Sequence, residues 1–174
     1  MERCCLKKTF LSSNRKTLVA VIGGHKCNNE VEQISIKLGN LLAKVGVILI
    51  CGGLSGVMEA VSKGMYDEGG MTIGLLPGED KNTANPYIDI PIATGLGYTR
   101  NTIVVGCADI VIALPGEYGT LSEIAFALNM KKPVIGIGSW AIKGIKQVKT
   151  PQEAIELVKQ FCFNADKRRS NADS

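Results

Sequence analysis

Six short apolar runs, rich in β-branched residues, alternate with segments whose apolar residues recur at helical spacing. The runs cover 17–24 (TLVAVIGG), 47–53 (VILICGG), 71–77, 87–94, 109–116 (DIVIALPG) and 132–139. A strand that is apolar almost throughout must be covered on both faces, and the intervening helices supply that cover. Such alternation predicts a parallel sheet, with right-handed crossovers between neighbouring strands.

The expected helices are 28–46, 56–69, 98–108, 120–130 and 150–163. In the first, Val31, Ile34, Leu38, Leu41 and Leu42 keep helical spacing. Asn28 or Asn29 can cap its start and Gly46 can end it. Ser55 is a candidate cap for the second helix. Thr150 is a candidate cap for the last, with Pro151 at the favoured first position. Residues 78–87 are polar, with prolines at both margins, and read as a loop. Together these elements define the α/β class, a Rossmann-like doubly wound parallel sheet in three α/β/α layers.

The chain of 174 residues suits one domain. We place that domain at 17–163, between a basic N-terminal extension (1–16) and a polar C-terminal tail (164–174). Arg3, Lys7, Lys8, Arg15 and Lys16 face only Glu2 in the extension, so most of the formal net charge of +4 lies there and the domain is nearly neutral. Basic ends can touch acidic partners, but no aromatic residues interleave a basic face, so nucleic acid is not the expected partner. The six cysteines (Cys4, Cys5, Cys27, Cys51, Cys107 and Cys162) form no C-x-x-C pair, and a core of this size needs no disulfide framework. Reduced thiols, no recognisable leader and no apolar stretch near the roughly 20 residues that span a bilayer point to a cytoplasmic protein without a membrane partner.

Open α/β sheets bind ligands beyond the carboxyl ends of their strands, at the point where strand order reverses. Two loops there carry the chemistry. In CGGLSGVME (51–59) and PGEYGTLSE (115–123), a strand ends, glycines follow and a helix begins. Bare backbone N–H groups at a helix start favour an anion, phosphate above all. Gly52, Gly53, Ser55, Gly56, Gly116, Gly119 and Thr120 are therefore the candidate ligand-binding residues. Gly23, Gly24, His25 and Glu117 are candidate crevice residues. The first strand ends in GGHKCNN without the dinucleotide fingerprint, and no P-loop occurs, so a mononucleotide or phosphosugar fits better than NAD or a nucleoside triphosphate.

Arg100, at a predicted helix start, can pair with phosphate. Glu123 has two readings. Thr120 and Glu123 make a T-x-x-E capping box; alternatively, Glu123 is a carboxylate at the crevice mouth that serves a sugar C1. His25 and Cys27 lack a third ligand with metal-site spacing, so no metal is expected. Trp140 and Ile142 are read as packing residues of the sheet or a subunit interface. Met58, Met65, Phe126 and Met130 are read as core.

PGEYGTLSE resembles the PGGxGTxxE motif of the Lonely Guy (LOG) family, often mislabelled as lysine decarboxylases. CGGLSGVME resembles that family's GGxxGLMG segment. The resemblance runs from about residue 18 to 162, in order. GLGYTRN (95–101) is most similar to a side branch that includes molybdenum-cofactor carrier proteins. The resemblance implies a homo-oligomer, a dimer or tetramer. It also implies metal-free hydrolysis of nucleoside 5′-monophosphates to base and ribose 5-phosphate, with no cofactor required. The family's catalytic arginine and glutamate fall on Arg100 and Glu123, and Asn101, next to Arg100, is a further candidate ligand-binding residue. Its phosphate loop falls on Gly116, Gly119 and Thr120.

Two departures stand out. Thr99-Arg100-Asn101 replaces the family's E-R-K cluster, which weakens the case for hydrolysis. It leaves open a non-catalytic carrier or sensor that binds a nucleotide or molybdenum (pterin) cofactor. Glu117 replaces the second motif glycine, where a positive φ would be costly and a carboxylate would repel phosphate. The economical expectation is a backbone cradle whose Glu117 side chain points to solvent.

Overall fold

The computed structural model describes residues 15–170, and the side chains of 15–163. Residues 1–14 of the basic extension, with Cys4 and Cys5, and residues 171–174 of the tail lie outside the described residues. Seven strands form one parallel sheet in the order β4-β3-β2-β1-β5-β6-β7. They are β1 (Leu18–Ile22), β2 (Ile48–Cys51), β3 (Met71–Leu76), β4 (Ile90–Ala93), β5 (Ile110–Ala113), β6 (Val134–Ile137) and β7 (Ile145–Val148). The helices are α1 (Asn29–Val45), α2 (Val57–Asp67), α3 (Arg100–Cys107), α4 (Tyr118–Asn129) and α5 (Pro151–Ser170).

The near-continuous apolar runs have the cause the sequence suggested. Val19, Val21, Leu49, Ile110 and Ile112 face a core shared with α1, α2 and α5. The alternate residues Ala20, Ile22, Ile50, Val111 and Ala113 face a second core shared with α3 and α4. Central strand β1 pairs with β2 on one side and β5 on the other, with Val19 opposite both Leu49 and Ile110. Strand order reverses direction at β1, so the loops after β1 and β5 open a crevice at their carboxyl ends.

Helix ends follow local chemistry in three places. Asn28 Oδ1 accepts from Val31 N at 2.9 Å, Gly46 closes α1 in the left-handed region, and Thr150 Oγ1 accepts from Glu153 N at 3.2 Å. Elsewhere the expectations need correcting. Gly56, not Ser55, precedes α2, while Ser55 Oγ donates to His25 O at 3.0 Å. The last helix continues beyond 163 to Ser170. β7 was not expected: it is a four-residue edge strand paired on one side only, so Lys146 and Gln147 remain exposed and break the apolar run. Met65 is fully buried in the core as expected, but Phe126 on α4 and Met130 at its C-cap are each 40% exposed.

Candidate functional site

Three glycine-bearing loops are laced together by their backbones. Gly24 N donates to Pro115 O, and Val57 N donates to Gly24 O, both at 3.0 Å. Gly56 has φ +68°, and a Cβ there would lie 2.5 Å from Gly24 O, so only glycine permits this approach. Gly116 is needed for a different reason: a Cβ would meet Thr120 Oγ1 at 2.1 Å. The lacing fixes the loops after β1, β2 and β5 as one rim.

Below the rim lies a crevice of about 660 Å³. Its buried charged lining comes from two helices on the same side of the sheet. A single 3₁₀ turn (Gly97–Thr99) leads directly into α3, which brings Arg100 and Asn101 inward; α4 brings Thr120 and Glu123. All four are buried. Arg100 Nη1 donates to Asn101 Oδ1 and lies 3.8 Å from Glu123 Oε1. Arg100 Nη2 lies 3.5 Å from Gly52 O. Arg100 Nε is buried without a hydrogen-bond partner among the described residues.

Burial pushes the Glu123 carboxyl up to about 7, against the opposing pull of the Arg100 cation. Burial pulls the Arg100 guanidinium down, while Glu123 offsets part of that effect. The pair thus holds a permanent cation beside a carboxyl that exchanges its proton near neutrality.

The capping-box reading of Glu123 is overturned. Helix α4 starts at Tyr118, so Thr120 is its third residue rather than its cap. Glu117 occupies the cap position and makes no side-chain cap bond. Its φ is −92°, so the feared backbone strain is absent, and its side chain is exposed at the crevice rim. The first turn of α4 lines the crevice through Tyr118, Gly119 and Thr120. Helix N-terminal N–H groups lack intrahelical partners and carry partial positive charge.

Residues 16–163 match the family model described as the SLOG cluster4 family. The chain belongs to that family. The solved molybdenum cofactor binding protein from Rippkaea orientalis is 36% identical, with TM-score 0.82; the match covers 86% of this chain and 99% of that one. The molybdenum cofactor carrier protein from Chlamydomonas reinhardtii is 33% identical, with TM-score 0.78, covering 85% and 99%. The cytokinin riboside 5′-monophosphate phosphoribohydrolase LOG of Oryza sativa subsp. japonica is 33% identical over 113 residues, 59% of this chain and 46% of that protein. The match thus spans about half of that relative's length. These findings bear out the LOG-like resemblance and the Rossmann-like parallel sheet.

In this SLOG protein, most residues singled out in the sequence meet at the crevice. Arg100, Asn101, Thr120, Glu123, Gly52 and Gly119 line it, as do the rim residues Gly23, Gly24, His25, Ser55 and Glu117. Gly53, Gly56 and Gly116 stand outside the lining and build the loops behind it: Gly53 N donates to Cys51 Sγ at 3.4 Å, and the other two make the close approaches above. His25 is exposed, and no cluster of three or more metal-ligating side chains occurs among the described residues.

Sequence reasoning missed Leu54, Met58, Tyr98, Tyr118 and Ser122 as lining residues. Tyr98 and Tyr118 are 90% and 81% exposed. Their signal was present, because each stands next to a glycine in the two quoted turns, GLGYTRN and PGEYGT.

Proposed function

We propose that this protein binds a small phosphate-bearing ligand and hydrolyses the N-glycosidic bond of nucleoside 5′-monophosphates to base and ribose 5-phosphate. The observation that carries this reading is the buried Arg100–Glu123 pair beside the first turn of α4. Phosphate would take the backbone N–H groups of that turn, with Gly119 and Thr120 at its edge. Arg100 Nε, buried without a partner among the described residues, leaves one donor of the guanidinium unused. Glu123 in its ionised form would take a proton from water. The water oxygen bonds to C1′ as the C1′–N bond breaks, and the bond's electron pair leaves with the base, which takes up a proton. No cofactor enters that step. The exposed rings of Tyr98 and Tyr118 at the crevice offer apolar surface to a planar base.

A second reading is carriage of a molybdenum cofactor, as cargo, without catalysis. Two full-length structural likenesses favour it, as does the replacement of an acid and a lysine by Thr99 and Asn101. The same residues fit a phosphate-bearing pterin: the unpartnered Arg100 Nε and the α4 turn suit its phosphate, and the crevice of about 660 Å³ suits its ring system.

Self-association goes with either reading. Helices α3 and α4 contain only two charged residues, Arg100 and Glu123, and both are buried. Ile103 and Phe126 on these helices, and Met130 at the C-cap of α4, are partly exposed. An uncharged, apolar helix layer suits a second copy of the chain.

The deciding experiment incubates the protein with purine and pyrimidine 5′-monophosphates and measures base release, with melting temperature read in parallel. Base release that disappears in Glu123→Gln supports hydrolysis. Stabilisation without release supports the carrier reading.

A further inference from the structure

Trp140 lies between β6 and β7, outside the crevice lining. Its indole Nε1 donates to Gly116 O at 3.0 Å. The Trp140 carbonyl accepts from Gln147 Nε2 of β7 at 2.9 Å and from Ile142 N at 3.2 Å. One residue upstream of Gly116, Pro115 O accepts from Gly24 N at 3.0 Å. Both carbonyls of the 115–116 turn are therefore occupied by donors from other loops.

This matters because of peptide geometry. In a planar trans peptide, the C=O and the following N–H point to opposite sides. With Gly116 O held on Trp140, the Glu117 N–H points away from Trp140. Glu117 belongs to the crevice lining and Trp140 does not. A rotated Gly116–Glu117 peptide would instead turn a carbonyl's partial negative charge toward an incoming anion.

We propose that Trp140 is a positioning residue that locks the Gly116–Glu117 peptide in its anion-accepting orientation, with Gln147 holding Trp140 in place. The inference rests on the phosphate-ligand reading above. The bond is partly open to solvent, since Trp140 is 38% exposed, so its loss should cost about fivefold in affinity rather than abolish binding.

The test compares wild type, Trp140→Phe and Gln147→Leu. Phenylalanine keeps a ring and loses only the donor. Calorimetric binding of adenosine 5′-monophosphate and of inorganic phosphate is measured for each, with the unliganded melting temperature as the folding control. Trp140 is the only tryptophan, so its emission in wild type and Gln147→Leu reports directly on the contact. The proposal expects about fivefold weaker binding of both probes in Trp140→Phe, with the melting temperature lowered by no more than about 4 °C. It expects a smaller loss in Gln147→Leu, and an emission shift on binding in wild type. Equal affinity in wild type and Trp140→Phe overturns the proposal, as does ligand binding that leaves the emission unmoved. Wild type that binds neither probe overturns the phosphate reading itself, and that result is read before any variant is compared.

Discussion

Arg100 Nη1 and Glu123 Oε1 stand 3.8 Å apart, with both side chains at most 10% exposed. Neither residue was obliged to be there for the fold, because α3 and α4 already pack through Val104, Val105, Ile124 and Ala127. Burying a cation and a carboxyl costs stability unless each finds compensation. Replacing Glu123 with Gln should therefore leave the melting temperature equal or higher while removing base release. Replacing Arg100 with Ala should weaken ligand binding at least tenfold and leave Glu123 buried without its cation. Melting curves and single-turnover base release check both outcomes.

The raised Glu123 pKa makes a pH prediction with a definite sign. Burial holds the folded-chain carboxyl up at about 7, against an ordinary value of 4.5. Between those values the folded state holds a proton that the unfolded state has released, so stability falls as pH rises through this window. The stabilising contribution is fully present below 4.5 and lost by a little above 7. The full difference is on the order of 3 kcal/mol. Denaturant unfolding from pH 4.5 to 8 should show the decline in wild type, and a flatter profile in Glu123→Gln. If Glu123 acts as the base, kcat/KM should rise through the same window, with an acid limb near 7.

How far the sequence alone led depends on what kind of interaction placed each residue. Strands buried on both faces wrote themselves as apolar runs, and the glycines marked the loops that meet at the crevice. The edge strand β7 did not, because exposed Lys146 and Gln147 at its centre interrupt the apolar pattern. Glu123 was ambiguous for a local reason: T-x-x-E spacing fits a cap, and only the helix start at Tyr118 removes that reading. Phe126 and Met130 have the spacing of core residues, but periodicity does not say whether a second helix covers them. The contact of Trp140 with Gly116 joins residues 24 apart in sequence, and nothing in either residue's neighbourhood announces it.

Glu117 gives a prediction about charge. Its exposed carboxylate lines the crevice beside the first turn of α4. It adopts φ −92°, so no left-handed backbone ties the position to glycine. Glu117→Gln should fold normally and bind phosphate-bearing ligands about two- to fivefold more tightly at low salt, because one repulsive charge is gone. The gain should shrink as ionic strength rises above roughly 0.1 M. Titrations at two salt concentrations separate this effect from any change in shape.

The glycine at 56 should behave in the opposite way. Gly56→Ala would place a Cβ 2.5 Å from backbone atoms of Gly24 and His25, at φ +68°. Backbone cannot move aside as a flexible side chain can, so the loss should be about 2 kcal/mol or more. Because Gly24 also donates to Pro115, displacement of the first loop should reach the α4 turn and weaken ligand binding as well. Gly46→Ala is the control: its φ is +81°, but a Cβ there meets nothing within 4 Å. It should cost only about 1 kcal/mol and leave ligand affinity unchanged.

The uncharged α3–α4 layer predicts the state of the protein in solution. Phe126 on α4 and Met130 at its C-cap lie four residues apart, and Tyr118 and Ser122 continue the same stripe toward the crevice. A second copy seated on this stripe would cover Phe126 and approach the crevice mouth at Tyr118. Phe126→Glu adds a charge at a 40% exposed position, so the isolated chain should tolerate it while a packed interface should not. Light scattering should show an oligomer in wild type and a monomer in Phe126→Glu, with the melting temperature concentration-dependent only in wild type. A wild-type monomer at micromolar concentration would assign the apolar layer to some other partner.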